Sequence, residues 1–309
     1  MKRAMKIGCL SGRNAAALPL VLWAVFVMST VVVVTLGLVD FDLDLESLAG
    51  KRFTARQAAL TGLAYAQHPA IERGDPLLWQ TLPDGTRLEV RLESEDARLN
   101  INSLLGKGDA TALVKLFRHW GVSEEAAMVA ADSLKDWVDA DDFRSLNGAE
   151  AADLPEGGPY ARPENRPFLQ VAEMKRVKGM EAVALAKPDW MEFFSVRSSN
   201  RLDLQDVSAD LLEVFGMLSP DQAAAVVTFR NGPDGERGSP DDPQIESVEA
   251  LAAIVPLSEQ QLQALKAAFG SGSQIRRIIS RGVAGGMKHE ISVVSSGEGG
   301  GRVLEWVER

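Results

Sequence analysis

Asp136-Trp137-Val138-Asp139-Ala140-Asp141-Asp142 sets four carboxylates within seven residues, and Asn147-Gly148-Ala149-Glu150 follows. Like charges this close repel, which costs stability unless water solvates them or they share a cation. Oxygen ligands at irregular spacing suit calcium, which takes roughly six to eight carboxylate, amide, carbonyl and water oxygens. Asp139-x-Asp141, a bend at Gly148 and the returning Glu150 supply the ingredients of an EF-hand loop without its spacing. On residues alone two readings stand: a specific cation site, and a solvated acidic helix end with Trp137 and Val138 in the core.

Other chemistry has little to draw on. The three histidines, His68, His119 and His289, are scattered, and none has a Ser, Cys or metal-ligand partner at a recognisable spacing. Asp139 and Asp141 could serve as the paired acids of a glycosidase, but with two tyrosines in the chain no aromatic sugar cleft is evident. The expectation is a protein that is not an enzyme.

What must position the acidic loop begins with a membrane anchor. Ala15 to Val39 is an uncharged run of 25 residues, preceded by Lys2, Arg3, Lys6 and Arg13 and followed by Asp40, Asp42, Asp44 and Glu46. At ~1.5 Å per residue it can cross a hydrocarbon core of roughly 30 Å, with the basic flank left in the cytoplasm. The run is too long for the core of a cleaved secretory signal. Everything after Val39 is therefore expected outside the cytoplasm, held by a single pass through the membrane.

The part beyond the anchor has 29 basic against 43 acidic residues, about −14, which argues against nucleic acid as a partner. The one cysteine, Cys9, lies in the leader, so about 270 exported residues must be held by a core or a metal. The helical pattern continues past the anchor through Phe41, Leu45, Leu48, Phe53 and Leu63 to His68-Pro69. Thr86 to Leu92 alternates as a half-buried strand after the turn Pro83-Asp84-Gly85, and Gln274 to Ser280, Met287 to Val294 and Arg302 to Val307 alternate between glycine-rich turns at 282–286 and 297–301. Between them the pattern is mostly helical. The chain is thus α+β: a leader (1–15), a membrane span (16–39), a helix with first strands (40–102), an all-α insertion of ~170 residues (103–270) and strands that complete the sheet (271–309).

The insertion carries a faint repeat. Ala97-Arg98-Leu99-Asn100-Ile101-Asn102 and Asn200-Arg201-Leu202-Asp203-Leu204-Gln205 are both short extended entries to helical hairpins. Phe168 to Met174 and Val177 to Met180 have the look of helix, glycine turn, helix, as in DNA-binding hairpins whose turn amides hold a phosphate. An acidic, exported domain favours a packing role for such a hairpin. An anchored DNA-binding protein and an anchored periplasmic hydrolase remain as rival readings.

The basic leader, Ala16-Ala17-Leu18-Pro19-Leu20-Val21-Leu22-Trp23, the entry 97–104, the acidic stretch from Asp136 to Glu150 and Arg166-Pro167-Phe168 through Met180 together resemble the K-type minor pseudopilins of type II secretion systems. The resemblance implies a pseudopilin fold, a long N-terminal helix packed on an antiparallel sheet, with a large helical insertion. It implies a non-enzymatic place at the tip of a periplasmic pseudopilus, where the subunit would start assembly and help export folded proteins. The implied partners are the I-type and J-type minor pseudopilins, the major pseudopilin, the inner-membrane assembly platform and prepilin peptidase. It also implies calcium in the insertion, on Asp139, Asp141 and Glu150, with Asp136 and Asp142 as further ligands. The peptidase usually cuts after glycine; here the cut falls between Ala15 and Ala16, because cutting after Gly12 would leave Arg13 at the new N-terminus. The fifth mature residue is then Leu20, where stacking pseudopilins carry a glutamate.

Overall fold

The first helix owes its length to a sequence that never interrupts it. Its one proline, Pro19, sits in the first turn, where the missing N–H costs nothing, and the next, Pro69, follows its end. The computed structural model describes residues 17–108, 110–199, 201–235, 237–239, 241–270, 274–297 and 301–309, with the side chains of 17 and 36–46 set aside. Helix α1 spans Ala17–Ala66. The chain divides into two units at Phe53/Thr54.

In the first unit, the stretch Leu18–Thr35 has a mean hydropathy of 2.4, long and apolar enough to cross a membrane. Its two threonine hydroxyls are returned to the helix: Thr30 Oγ1 donates to the Phe26 carbonyl at 2.9 Å and Thr35 Oγ1 to that of Val31 at 2.8 Å. Hydrocarbon offers no other acceptor. Leu20 lies on this stretch with its side chain exposed. Ala15 and Ala16 lie outside the described residues.

In the second unit the chain passes through β1 (Trp79–Thr81), β2 (Arg87–Ser94) and β3 (Leu99–Asn100), then helices α2 (Ile101–Leu105), α3 (Thr111–His119), α4 (Glu124–Val138) and α5 (Met180–Ala186). Strands β4 (Phe194–Ser195) and β5 (Leu202–Asp203) precede α6 (Ala209–Gly216), α7 (Pro220–Arg230), α8 (Val248–Ile254) and α9 (Glu259–Ala268). Strands β6 (Phe269–Gly270), β7 (Ile275–Ala284), β8 (Met287–Ser296) and β9 (Arg302–Glu308) close the chain. Five strands make one antiparallel sheet, ordered β1-β2-β7-β8-β9.

Helix and sheet meet through small residues. Ala55, Ala59 and Gly62 of α1 face β2 and β7, and Ser280 Oγ donates to the Ala59 carbonyl at 2.6 Å. A Cβ on Gly62 would stand 2.5 Å from Ser280 Oγ and 2.6 Å from Val90 Cγ2. Around this contact Leu63, Ile71, Leu78, Val90, Ile278 and Ile291 form the core. The expected turn at 282–286 is shorter than its glycines suggest: β7 runs on to Ala284 and only Gly285-Gly286 turns, with φ of 53° and 83°. Gly282 is a strand residue because the α1 backbone lies on it; its Cβ would fall on the Ala55 carbonyl oxygen.

The insertion is less helical than its pattern predicts. From Asp139 to Gly179 it contains two short 3-10 turns, Ala151–Asp153 and Val171–Arg176, and otherwise loop. Where a helix was expected over 168–174, Phe168 instead stacks on Trp137, centroids 5.5 Å apart, and fixes the loop as core. Strand pairs absent from the sequence reading close both halves alike: β3 pairs parallel with β4, and β5 parallel with β6. Most helices start on serine: Ser123, Ser208, Ser219, Ser247 and Ser258 cap α4, α6, α7, α8 and α9.

Gly282→Ala is expected to lower the stability of the detergent-solubilised full chain by about 3 kcal/mol or more, since backbone rather than a side chain must yield. Thermal melting by circular dichroism measures this; a melting temperature equal to that of the parent chain would show that α1 does not press on the sheet at this point.

Candidate functional site

Helix α4 ends in the acidic stretch and the following loop folds back over it. Asp132 and Asp136, one turn apart, present their carboxylates to that loop. Asp132 Oδ2 accepts from the Asn147 backbone N–H at 3.0 Å and from Asn147 Nδ2 at 2.9 Å. Asp136, fully buried, accepts from the Ser145 N–H at 3.0 Å. Gly148 lies directly on the Asp136 carboxylate, where any Cβ would collide with Oδ2. The expected bend at Gly148 is therefore a requirement for space.

Asp139 caps the end of α4, its N–H donating to the Lys135 carbonyl. Glu150 comes back at the start of the 3-10 turn, with Asp153 accepting from its N–H at 3.0 Å. Glu150 is 3% exposed, and both its carboxylate oxygens, with Asp139 Oδ1, are buried and lack a hydrogen-bond donor. Burial, with Asp136 and Asp139 nearby, pushes the Glu150 carboxyl up to about 7. Burial, then Asp141 and Asp136, raises Asp139 too, against the pull of Lys135. Three orphaned oxygens on two such carboxylates can be satisfied by a proton or by a cation.

The predicted ligands thus divide. Asp139 and Glu150 carry unsatisfied oxygens and Asp136 adds charge behind them. Asp141 and Asp142 are exposed and engaged: Asp141 Oδ1 accepts from the Phe143 N–H at 2.9 Å, and Asp142 Oδ1 from Asn165 Nδ2 at 3.2 Å. Nearby, Arg144 Nη1 is 3.3 Å from Asp153 Oδ1. All-oxygen donors without His or Cys fit a hard divalent cation. Asp132 was not among the sequence candidates, although its i, i+4 spacing to Asp136 is visible there. A second acidic group, Asp234, Asp241 and Asp242, brings one oxygen from each within 4.8 Å of the others. It was not among the sequence candidates either.

The other candidates are structural. His119 Nε2 is 3.8 Å from Glu213, and His289 Nε2 is 3.3 Å from Glu308, which also pairs with Arg56 at 2.9 Å. In the glycine turn proposed for phosphate, the Gly179 N–H donates to Glu181 Oε2 at 3.0 Å, so a carboxylate sits where a phosphate would bind. A Cβ on Gly179 would stand 2.8 Å from Ala130 Cα, which makes this hairpin a packing contact with α4.

Glu150 holds its proton more tightly folded than unfolded. Its contribution to stability is therefore fully present below about 4.5 and lost as pH rises through about 7. With divalent cations chelated, Glu150→Gln is expected to melt higher than the parent at pH 8 and to lose that advantage at pH 4. Paired melting curves check this; a Gln variant that melts lower than the parent at pH 8 under chelation would contradict the unpaired burial of Glu150.

Residues 97–188, which contain this loop, match the family model for type II secretion system protein K. A curated relative, the type II secretion system protein K of Pseudomonas aeruginosa, is 31% identical over 159 residues, covering 48% of this chain and 46% of that protein. The chain thus spans about half the length of that relative in the match. Among solved structures, a chain of the GspK-GspI-GspJ complex from the enterotoxigenic Escherichia coli type 2 secretion system aligns with a TM-score of 0.55 at 17% identity, over 89% of this chain and 99% of that one. The relatives are components of a secretion apparatus. With an apolar N-terminal helix, an antiparallel sheet and this insertion, the chain has a pseudopilin-like fold, and its residues 97–188 are similar to the type II secretion system protein K family.

Proposed function

We propose that the protein is a non-enzymatic minor pseudopilin of a type II secretion system, anchored in the inner membrane with its C-terminal domain in the periplasm. It caps the pseudopilus tip and starts assembly with I-type and J-type minor pseudopilins, upon which the major pseudopilin and the assembly platform build. The observation that carries the reading is the alignment with 99% of a chain solved in a GspK-GspI-GspJ complex, together with the protein K domain in the insertion. Leu20 supports the terminal position. A subunit without a carboxylate there leaves the N-terminal amine of a subunit above it unpaired in lipid, which costs several kcal/mol. In this reading prepilin peptidase cuts between Ala15 and Ala16. The occupied glycine turn at Gly179 speaks against the DNA-binding alternative.

Co-expression of the full chain with I-type and J-type minor pseudopilins is expected to give a three-subunit complex that survives detergent extraction. Deletion of 103–270 is expected to give longer or more numerous pseudopili. Purification of the chain alone, or unchanged filaments from a stably made deletion, would overturn the assembly or the capping role respectively.

The acidic loop belongs to the same reading. Calcium held by Asp139 and Glu150, with Asp136, Asp141 and Asp142 contributing charge or further ligands, would satisfy the three orphaned oxygens and clamp the loop to α4. A cation bound only by the folded chain stabilises it by about 2.7 kcal/mol at a hundredfold excess over Kd. Calcium is expected to raise the melting temperature of the parent and to leave that of Asp139→Ala unchanged. Identical curves for the parent with and without calcium would rule the site out.

A further inference from the structure

Strand β9 is the last in the sheet, so among the described residues one of its edges has no strand partner. Arg309 and Glu290 exchange both backbone hydrogen bonds, at 2.9 and 3.1 Å. From that pair the register makes Ser292–Val307 and Val294–Glu305 the next bonded pairs, and turns the backbone N–H and C=O of Trp306 and Glu308 outward. Among the described residues, no turn, loop or side-chain hydrogen bond reaches those groups. Such an edge is a template for another strand, and β9 carries no proline to block one.

The edge lines a groove. A cavity of about 450 Å³ runs between Leu304, Trp306 and Val307 on one side and Leu169, Val171 and Arg197 of the insertion on the other. Leu169, 63% exposed, provides an apolar contact on the insertion side. A bulge at Val294/Ser295 interrupts the inner ladder between Val303 and Glu305.

Its charges favour an acidic occupant. Glu95 is taken up by Arg277 at 2.6 Å. Arg98 is shared among Glu93, Glu95 and Glu192 at 3.4, 3.7 and 3.8 Å, whereas the guanidiniums of Arg197 and Arg309 have no carboxylate within 4.0 Å among the described residues. Against them, among the described lining residues, stand Glu305 and the exposed Glu192, which lies 3.8 Å from Arg98. We infer that the β9 edge accepts an extended, carboxylate-bearing segment of a neighbouring minor pseudopilin, added antiparallel or parallel as a sixth strand. Backbone bonds to Trp306 and Glu308 provide affinity, and Arg197 and Arg309 select an acidic sequence. The inference rests on the assembly with I-type and J-type subunits proposed above.

Hydrogen–deuterium exchange on the full chain, alone and in complex with those two subunits in detergent, tests it on peptides covering 302–309. The outward amides are expected to exchange at least tenfold more slowly in the complex. Trp306→Pro removes one outward N–H and no ladder bond, and Arg197→Glu reverses an exposed charge. Each is expected to weaken the complex at least tenfold without changing the melting temperature of the isolated chain. A complex that forms while 302–309 exchanges as in the free chain overturns the inference and leaves the assembly intact; absence of any complex overturns the assembly and the inference together.

Discussion

The fold depends on one closure: Ser94 at the end of β2 and Arg276 at the start of β7 are register partners, although the whole insertion lies between them in sequence. A flexible excursion of that length makes closure entropically costly, so entry and exit of the insertion must be held together by structure within it. Ion pairs at the junction do this. Glu95, just past β2, receives Arg277 Nε at 2.6 Å and Nη2 at 3.0 Å, and Ser195 of β4 donates to it at 2.5 Å. Asp206, deep in the second half, accepts from the Ser94 N–H and from Arg73 Nη1, both at 2.7 Å.

Such buried charges are poor contributors to net stability, because desolvation offsets the attraction. What they supply is register. A slip of one residue between β2 and β7 would turn every side chain to the wrong face and would also take Arg277 away from the buried Glu95. The junction therefore penalises wrong pairings that a purely apolar contact would tolerate. On the opposite face the small residues of α1 impose a steric condition of the same kind, with Gly62 and Gly282 admitting only one approach of helix to sheet.

The acidic loop shows one residue type divided into roles by its surroundings. Asp132 and Asp136 accept from backbone and amide N–H groups and shape the loop, Asp141 and Asp142 are exposed, and among these carboxylates Asp139 and Glu150 keep buried oxygens without donors. Crowding in the sequence marked the region. It did not mark which members were crowded in space, since Glu150 returns to Asp136 and Asp139 only because Gly148 lets the chain cross the Asp136 carboxylate.

Local pattern was sufficient for the apolar span, the long helix and the alternating strands, because each rests on periodicity or on residues adjacent in the chain. The serine caps were equally open to view. Contacts between distant segments decided the rest. Gly282 reads as a turn residue and is a strand residue under a helix; Phe168 reads as helical and is a core ring on Trp137; the parallel pairs β3–β4 and β5–β6 join residues far apart in sequence. In the site, the sequence named the carboxylates and their chemistry, whereas tertiary structure decided which oxygens lost both water and hydrogen-bond donors. That loss is a property of burial, and burial is set by what folds over a residue rather than by its neighbours in the chain.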